Sequence, residues 1–120
     1  MTLYGLLIPA EPDRPASRHI IDERNELDDL QKIVGGCIEA VTVGDCAFIF
    51  DEEVKFKDHR RNERATAFLR MKGVDLSVHG DYLGGPVIIV ASDETGATVS
   101  PPEEVFTKYQ QGVGNIEEPA

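Results

Sequence analysis

The sequence predicts an α+β domain: an antiparallel or mixed sheet of four to six strands, two helices packed on it and a C-terminal helix. Three observations predict it. Segments 25–34 and 62–71 repeat apolar residues at spacings of three and four, as helices with one buried face do. The runs Cys46-Ala47-Phe48-Ile49-Phe50 and Pro86-Val87-Ile88-Ile89-Val90-Ala91 are almost wholly apolar, as strands buried on both faces are. Gly44-Asp45 separates two β-rich runs by two residues, the spacing of a tight hairpin.

Leu3 to Ile8 reads as a strand ended by Pro9. A loop rich in Pro, Asp and Ser leads to a short strand at His19-Ile20-Ile21, and the two strands make a long-looped hairpin. In the first helix Asn25 is the expected cap, with Glu26, Asp28 and Asp29 at the positive end of the dipole. Leu27, Leu30, Ile33 and Val34 form its buried face. Gly35 supplies the left-handed stop and Gly36 the turn into the next strand. Cys37–Val43 and Cys46–Asp51 pair across Gly44-Asp45, with Val43 facing Cys46. The second run is central. Val54-Lys55-Phe56-Lys57 alternates as a half-exposed strand would. Asn62 caps the second helix, which buries Ala65, Phe68 and Leu69 and ends at Gly73. Val74 to Val78 reads as a short extended piece. Pro86 belongs at the start of its strand, where a missing N–H is tolerated. Ser100-Pro101-Pro102-Glu103 is a helix-start signature, with Ser as cap and Glu103 closing a capping box. That helix spans about 101–111 and buries Val105, Phe106 and Tyr109.

The 120 residues suit one domain, since domains commonly run to roughly 100–150 residues. Residues 1–112 are expected to form it, and 113–120 an acidic flexible tail. The chain carries 22 acidic and 12 basic residues, a net charge of −10. That sign excludes a basic protein that coats nucleic acid. No apolar run approaches the roughly 18 residues of a membrane span. Met1-Thr2-Leu3 lacks the basic start of a secretory signal. In the hairpin register Cys37 faces Glu52, far from Cys46, which does not suit a disulfide. Both thiols are expected to be free, buried small hydrophobes.

Chemistry-bearing motifs are sparse. Gly35-Gly36 and Gly84-Gly85 are isolated pairs without a phosphate-loop lysine. No Gly-x-Ser-x-Gly elbow occurs. No catalytic residue, metal ligand or cofactor is assigned. Asp75, His79 and Asp81 are the best metal-like cluster, and turn formation is the simpler use of such loop residues. Asp51-Glu52-Glu53, at a strand end, reads as a solvated turn. Charge is more informative. Segment 55–72 holds seven basic and two acidic residues, a net +5, which leaves −15 for the rest. Lys55, Lys57, Arg60, Arg61 and Arg64 are the candidate contacts for a protein partner or an anion. Only Phe56 and Phe68 interleave with these cations, so a nucleic-acid stacking platform is weak. The scattered carboxylates suit ordinary solubility better than imitation of DNA phosphates. Val105, Phe106 and Tyr109 dock in cis by default, with a swapped or partner-bound helix, or a homodimer, as the alternative.

Four blocks carry a family resemblance. They are Leu30-Gln31-Lys32-Ile33-Val34-Gly35-Gly36-Cys37-Ile38-Glu39, Asp51-Glu52, Asn62-Glu63-Arg64-Ala65-Thr66 and Gly84-Gly85-Pro86-Val87-Ile88. In order and spacing they resemble the family called domain of unknown function 3846, found in actinobacteria, plasmids and bacteriophages. Two departures stand out: Cys37 replaces a usual aromatic, and Asp58-His59-Arg60-Arg61 replaces a Gly-Leu-Pro turn. The resemblance carries over no catalytic residue. It implies a phage- or plasmid-type accessory protein in a bacterial cytoplasm. The physical reading of the blocks is that they specify the fold. The expected function is non-enzymatic binding of a host protein. Nucleic-acid or anion binding through 55–72 is the first alternative, and a small metal-dependent enzyme is the second.

Overall fold

The computed structural model describes residues 3–53, 57 and 59–107, the side chain of His79 excepted. The strands are β1 (Tyr4–Ile8), β2 (Ser17–Ile20), β3 (Ile38–Val43), β4 (Cys46–Asp51), β5 (Val87–Ser92) and β6 (Thr98–Val99). Helix α1 spans Glu26–Val34 and α2 spans Glu63–Met71. Residues 103–107 are helical and form the C-terminal helix as far as it is described. The sheet runs in the order β2-β1-β5-β4-β3, with β6 paired to β5, and every pairing is antiparallel. The α+β architecture follows.

Both faces of this sheet are covered. On one, Ala47, Ile49, Ile88 and Val90 meet Leu30 and Val34 of α1. On the other, Phe48, Phe50, Val87 and Ile89 meet Phe68 and Leu69 of α2 and Phe106 of the C-terminal segment. An antiparallel sheet usually wets one face and alternates accordingly. Here β4 and the start of β5 are apolar at successive positions because helices lie on both sides. The hairpin register is as expected, with Val43 opposite Cys46 and Glu52 N–H donating to Cys37 O at 2.9 Å. Gly44 holds the positive φ of 61° that a tight turn needs.

Several local expectations give way to competing contacts. Asn25 makes no cap bond. Asp22 instead accepts from Arg24 N–H and starts a 3-10 turn, Glu23–Asn25, that leads into α1. Leu27 is 55% exposed, so the buried face of α1 is narrower than its spacing implies. Residues 76–79 form a 3-10 turn rather than an extended piece, because the Asp75 carboxylate accepts from Ser77 N–H and Gly80 closes the turn with a left-handed φ. Ser100 Oγ accepts from Tyr4 N–H at 2.9 Å, and Glu103 pairs with Arg18 across the sheet edge. Cys46 is buried, but Cys37 is exposed and both are free, since β3 is an edge strand. The strand expected at 54–57, the residue Tyr109 and the tail 113–120 lie outside the described residues, apart from Lys57.

Asn62 behaves as the sequence predicts and does more. Its Oδ1 accepts from Ala65 N–H at 3.0 Å, capping α2. Its Nδ2 donates to Ile8 O at 2.8 Å and Gly85 O at 2.9 Å. The side chain is fully buried. Replacing Asn62 by Ala removes the cap and strands two buried carbonyls, an expected loss of about 2–4 kcal/mol. Asn62→Ser, which restores a cap but not the two donors, recovers about 1 kcal/mol of it. Urea unfolding with an unchanged m-value checks both figures, and an Ala variant within error of wild type refutes the role.

Candidate functional site

The chemistry-bearing side chains gather at the end of the sheet where β4 stops. Alternation along β4 puts Asp51 on the α1 face, in line with Ala47 and Ile49, and leaves it fully buried. A buried carboxylate requires donors. Oδ2 of Asp51 accepts from Lys57 Nζ at 2.9 Å and lies 3.0 Å from His59 Nε2. Oδ1 accepts from Glu53 N–H at 2.9 Å. Lys57 Nζ also donates to Gly35 O at 3.1 Å, which bonds the chain after β4 to the end of α1. Burial pushes the Asp51 carboxyl upward, but the bonds from Lys57, Glu53 N–H and His59 outweigh it and hold the pKa down to about 2. The same contact raises Lys57.

Two glycines make room for this cluster. A Cβ on Gly36 would sit 2.5 Å from Lys57 Nζ and 3.0 Å from Asp51 Oδ1. A Cβ on Gly85, whose φ is 69°, would sit 3.1 Å from the His59 ring. The expectation of a solvated turn at 51–53 therefore fails for Asp51: it is a buried anchor, while Glu52 and Glu53 are exposed. One signal in the sequence could have found it. Asp51 continues the inward-facing alternation of an apolar strand, and basic groups follow within eight residues.

The candidate cations have separate fates. Arg60 and Arg61 are exposed. The backbone here is fixed: Gly85 N–H donates to Arg60 O at 2.8 Å, Arg61 bridges to Gly84, and Asn62 N–H donates to Leu83 O at 2.8 Å. The Arg61 guanidinium lies 4.1 Å over the Tyr82 ring. Lys57 is 37% exposed and turned to Asp51. Arg64 leaves the surface set, being 2% exposed, and donates to Pro9 O at 2.6 Å and Glu11 O at 2.8 Å. It ties the β1–β2 loop to α2. Lys55 lies outside the described residues. Val105 and Phe106 are core residues of their own chain. The Phe106 ring meets Tyr4 edge-on at 5.4 Å, and Arg18 covers it at 4.2 Å, which removes both from any partner face.

Asp75 caps its own 3-10 turn, and no metal-ligating group of three assembles among the described residues. Beside the Asp51 cluster, on the α1 face, a shallow groove of about 220 Å³ lies between β1 and α1. Leu7, Pro9, Ile33 and Pro86 line it, and the ion pair of Glu11 and Arg14 stands on its rim. No helix among the described residues is long and apolar enough to cross a membrane.

The chain belongs to the family described as Domain of unknown function (DUF3846), whose model matches residues 4–114. No curated protein and no solved structure matches it. The four sequence blocks of the resemblance meet at this one end of the sheet: Gly35-Gly36 over Asp51, Asn62 bonded to Gly85, and Gly84 bridged to Arg61.

The Asp51 anchor has a pH signature. Its folded carboxyl is a stronger acid than the ordinary value of 3.8, so the folded state keeps its negative charge to lower pH. The stability it contributes is complete well above 3.8 and is lost as pH falls towards about 2. Asp51→Asn is expected to lower stability at neutral pH by about 1.5–3 kcal/mol, the range for hydrogen bonds to a charged group. It also flattens the acid limb of the stability curve in that window. Melting temperatures from pH 2 to 7, taken for both proteins, check this, and parallel acid limbs refute it.

Proposed function

We propose that this chain is a non-enzymatic binding protein of the phage or plasmid accessory kind, acting on a host protein in the bacterial cytoplasm. The contact is made through the Arg60–Arg61 corner. One observation carries the reading. These two arginines are exposed on a backbone held by hydrogen bonds at Arg60, Arg61 and Asn62. The preceding residues Lys57 and His59 are bonded to Asp51. A backbone ordered before binding loses little conformational freedom on contact, so more of the arginines' interaction appears as affinity. The partner that fits is an acidic protein surface, and carboxylates take arginine in a two-pronged geometry.

A second reading rests on the Arg61–Tyr82 stack, which leaves guanidinium edges free to meet a phosphate of nucleic acid.

Immobilised protein exposed to host lysate tests the first reading. Capture of a specific partner is expected, with release at about 1 M salt, where the screening length is about 3 Å. The double change Arg60→Glu and Arg61→Glu is expected to abolish capture, while Glu94→Lys on a distant exposed turn leaves it intact. Capture that survives the double change overturns the proposal. A mobility-shift assay with DNA and RNA, abolished by the same change, establishes the second reading instead.

A further inference from the structure

The groove between β1 and α1 is lined by neither the Asp51 cluster nor the arginine corner; Pro86 in its wall follows Gly85, whose N–H donates to Arg60 O. The register Ile8 opposite Val87 sets Pro9 and Pro86 side by side, just past the paired positions. Neither residue has an N–H, so this wall offers no backbone donor to water or to a polar ligand. Leu7 and Ile33 are half-buried and complete the apolar part of the lining, and the paired Glu11 and Arg14 form the rest. The volume of about 220 Å³ falls below the roughly 300–1,000 Å³ of sites for drug-sized molecules. A single aliphatic side chain is the occupant that suits it.

The arginine corner is joined to that wall through hydrogen bonds. Asn62 Nδ2 bridges Ile8 O and Gly85 O, and Gly85 N–H donates to Arg60 O. Groove and corner are therefore parts of one fixed frame. Charge complementarity selects the occupant's flanks, because Arg60 and Arg61 are exposed while the Glu11 carboxylate at the groove is paired with Arg14.

We propose that the groove and the arginine corner form one docking surface for an acidic peptide segment of a partner protein. One aliphatic side chain enters between Leu7, Pro9, Ile33 and Pro86. Flanking carboxylates meet Arg60 and Arg61. This deepens the proposed function and rests on it, since it takes the partner to be a protein.

The test uses the full chain with labelled methyl groups and a synthetic probe, acetyl-Asp-Glu-Leu-Glu-Asp-amide, followed by NMR. Saturable shifts are expected at the Leu7 and Ile33 methyls together with the Arg60 and Arg61 amides. Alanine at the centre of the probe should weaken binding about tenfold, because most of the apolar burial is lost. A probe with lysines in place of the acids should not bind. Ile33→Glu, at a half-exposed position, should remove binding while methyl shifts elsewhere show an intact fold. Equal binding of the lysine probe, or shifts confined to another face, overturns the inference. Shifts at Leu7 and Ile33 on concentrating the protein alone assign the groove to a second copy and also overturn it. The lysate experiment separates the two ideas. If Ile33→Glu leaves capture intact while the double arginine change abolishes it, the groove inference fails and the function stands. If neither change affects capture, both fail.

Discussion

The structure depends on one buried amide. Asn62 uses its backbone and side-chain donors and acceptors wholly within the protein. Its N–H reaches Leu83 O, its Nδ2 reaches Ile8 O and Gly85 O, and its Oδ1 caps α2 at Ala65. Its carbonyl accepts from Thr66 N–H and Thr66 Oγ1, and that hydroxyl accepts in turn from Leu83 N–H at 3.2 Å. The network joins β1, α2 and the chain entering β5 at one point. In a low-dielectric interior a fully satisfied network of this kind fixes a single arrangement, and a partly satisfied one is costly. Placement of α2 on the sheet follows from it. So does the position of Arg64 two residues later, where a long side chain can reach Pro9 O and Glu11 O.

Asp51 supplies a second anchor for the same piece of chain, nearer to β4. A carboxylate without partners in this place would cost several kcal/mol in lost hydration. Three donors offset that cost, and two of them, Lys57 and His59, come from the segment that must be held. The arrangement works only if the neighbouring backbones approach closely. That requirement accounts for glycine at 36 and 85, since a Cβ at either would meet Lys57 or His59. Lys57 and residues 59–62 thus lie between two anchors, which fix the backbone that carries the exposed arginines.

How much of this was legible in the sequence depended on how local the cause was. The two helices, the hairpin and the strands β4 and β5 could be read because periodicity and turn chemistry act over a few residues. The Asn62 cap could be read for the same reason. Asn25 carried an equally good cap signal and makes no cap bond, because Asp22 starts an earlier turn; the bond from Tyr4 N–H to the Ser100 hydroxyl, ninety-six positions apart, has no local signal at all. β6 escaped notice because a two-residue strand has no period of its own and exists only by pairing with β5. Asp51 was misread because its burial is set by α1, Gly36 and Lys57, none of which a strand-end triplet of acids announces.

The charge of segment 55–72 shows the same limit and what the structure adds to it. A net +5 is one number with three uses among the described residues. Arg64 is a core tether, Lys57 balances a buried anion, and Arg60, Arg61, Arg70 and Lys72 are exposed. Only the last kind can act on a partner. At physiological ionic strength fields fade over about 8 Å, so the widely spread negative charge matters little to a group already at the corner. An acidic partner approaching from afar gains no steering from a chain of net −10 and meets attraction only on close approach. Such a contact draws its affinity from slow dissociation, which rests on fit and order rather than on fast encounter. The two anchors that hold Lys57 and residues 59–62 supply the order.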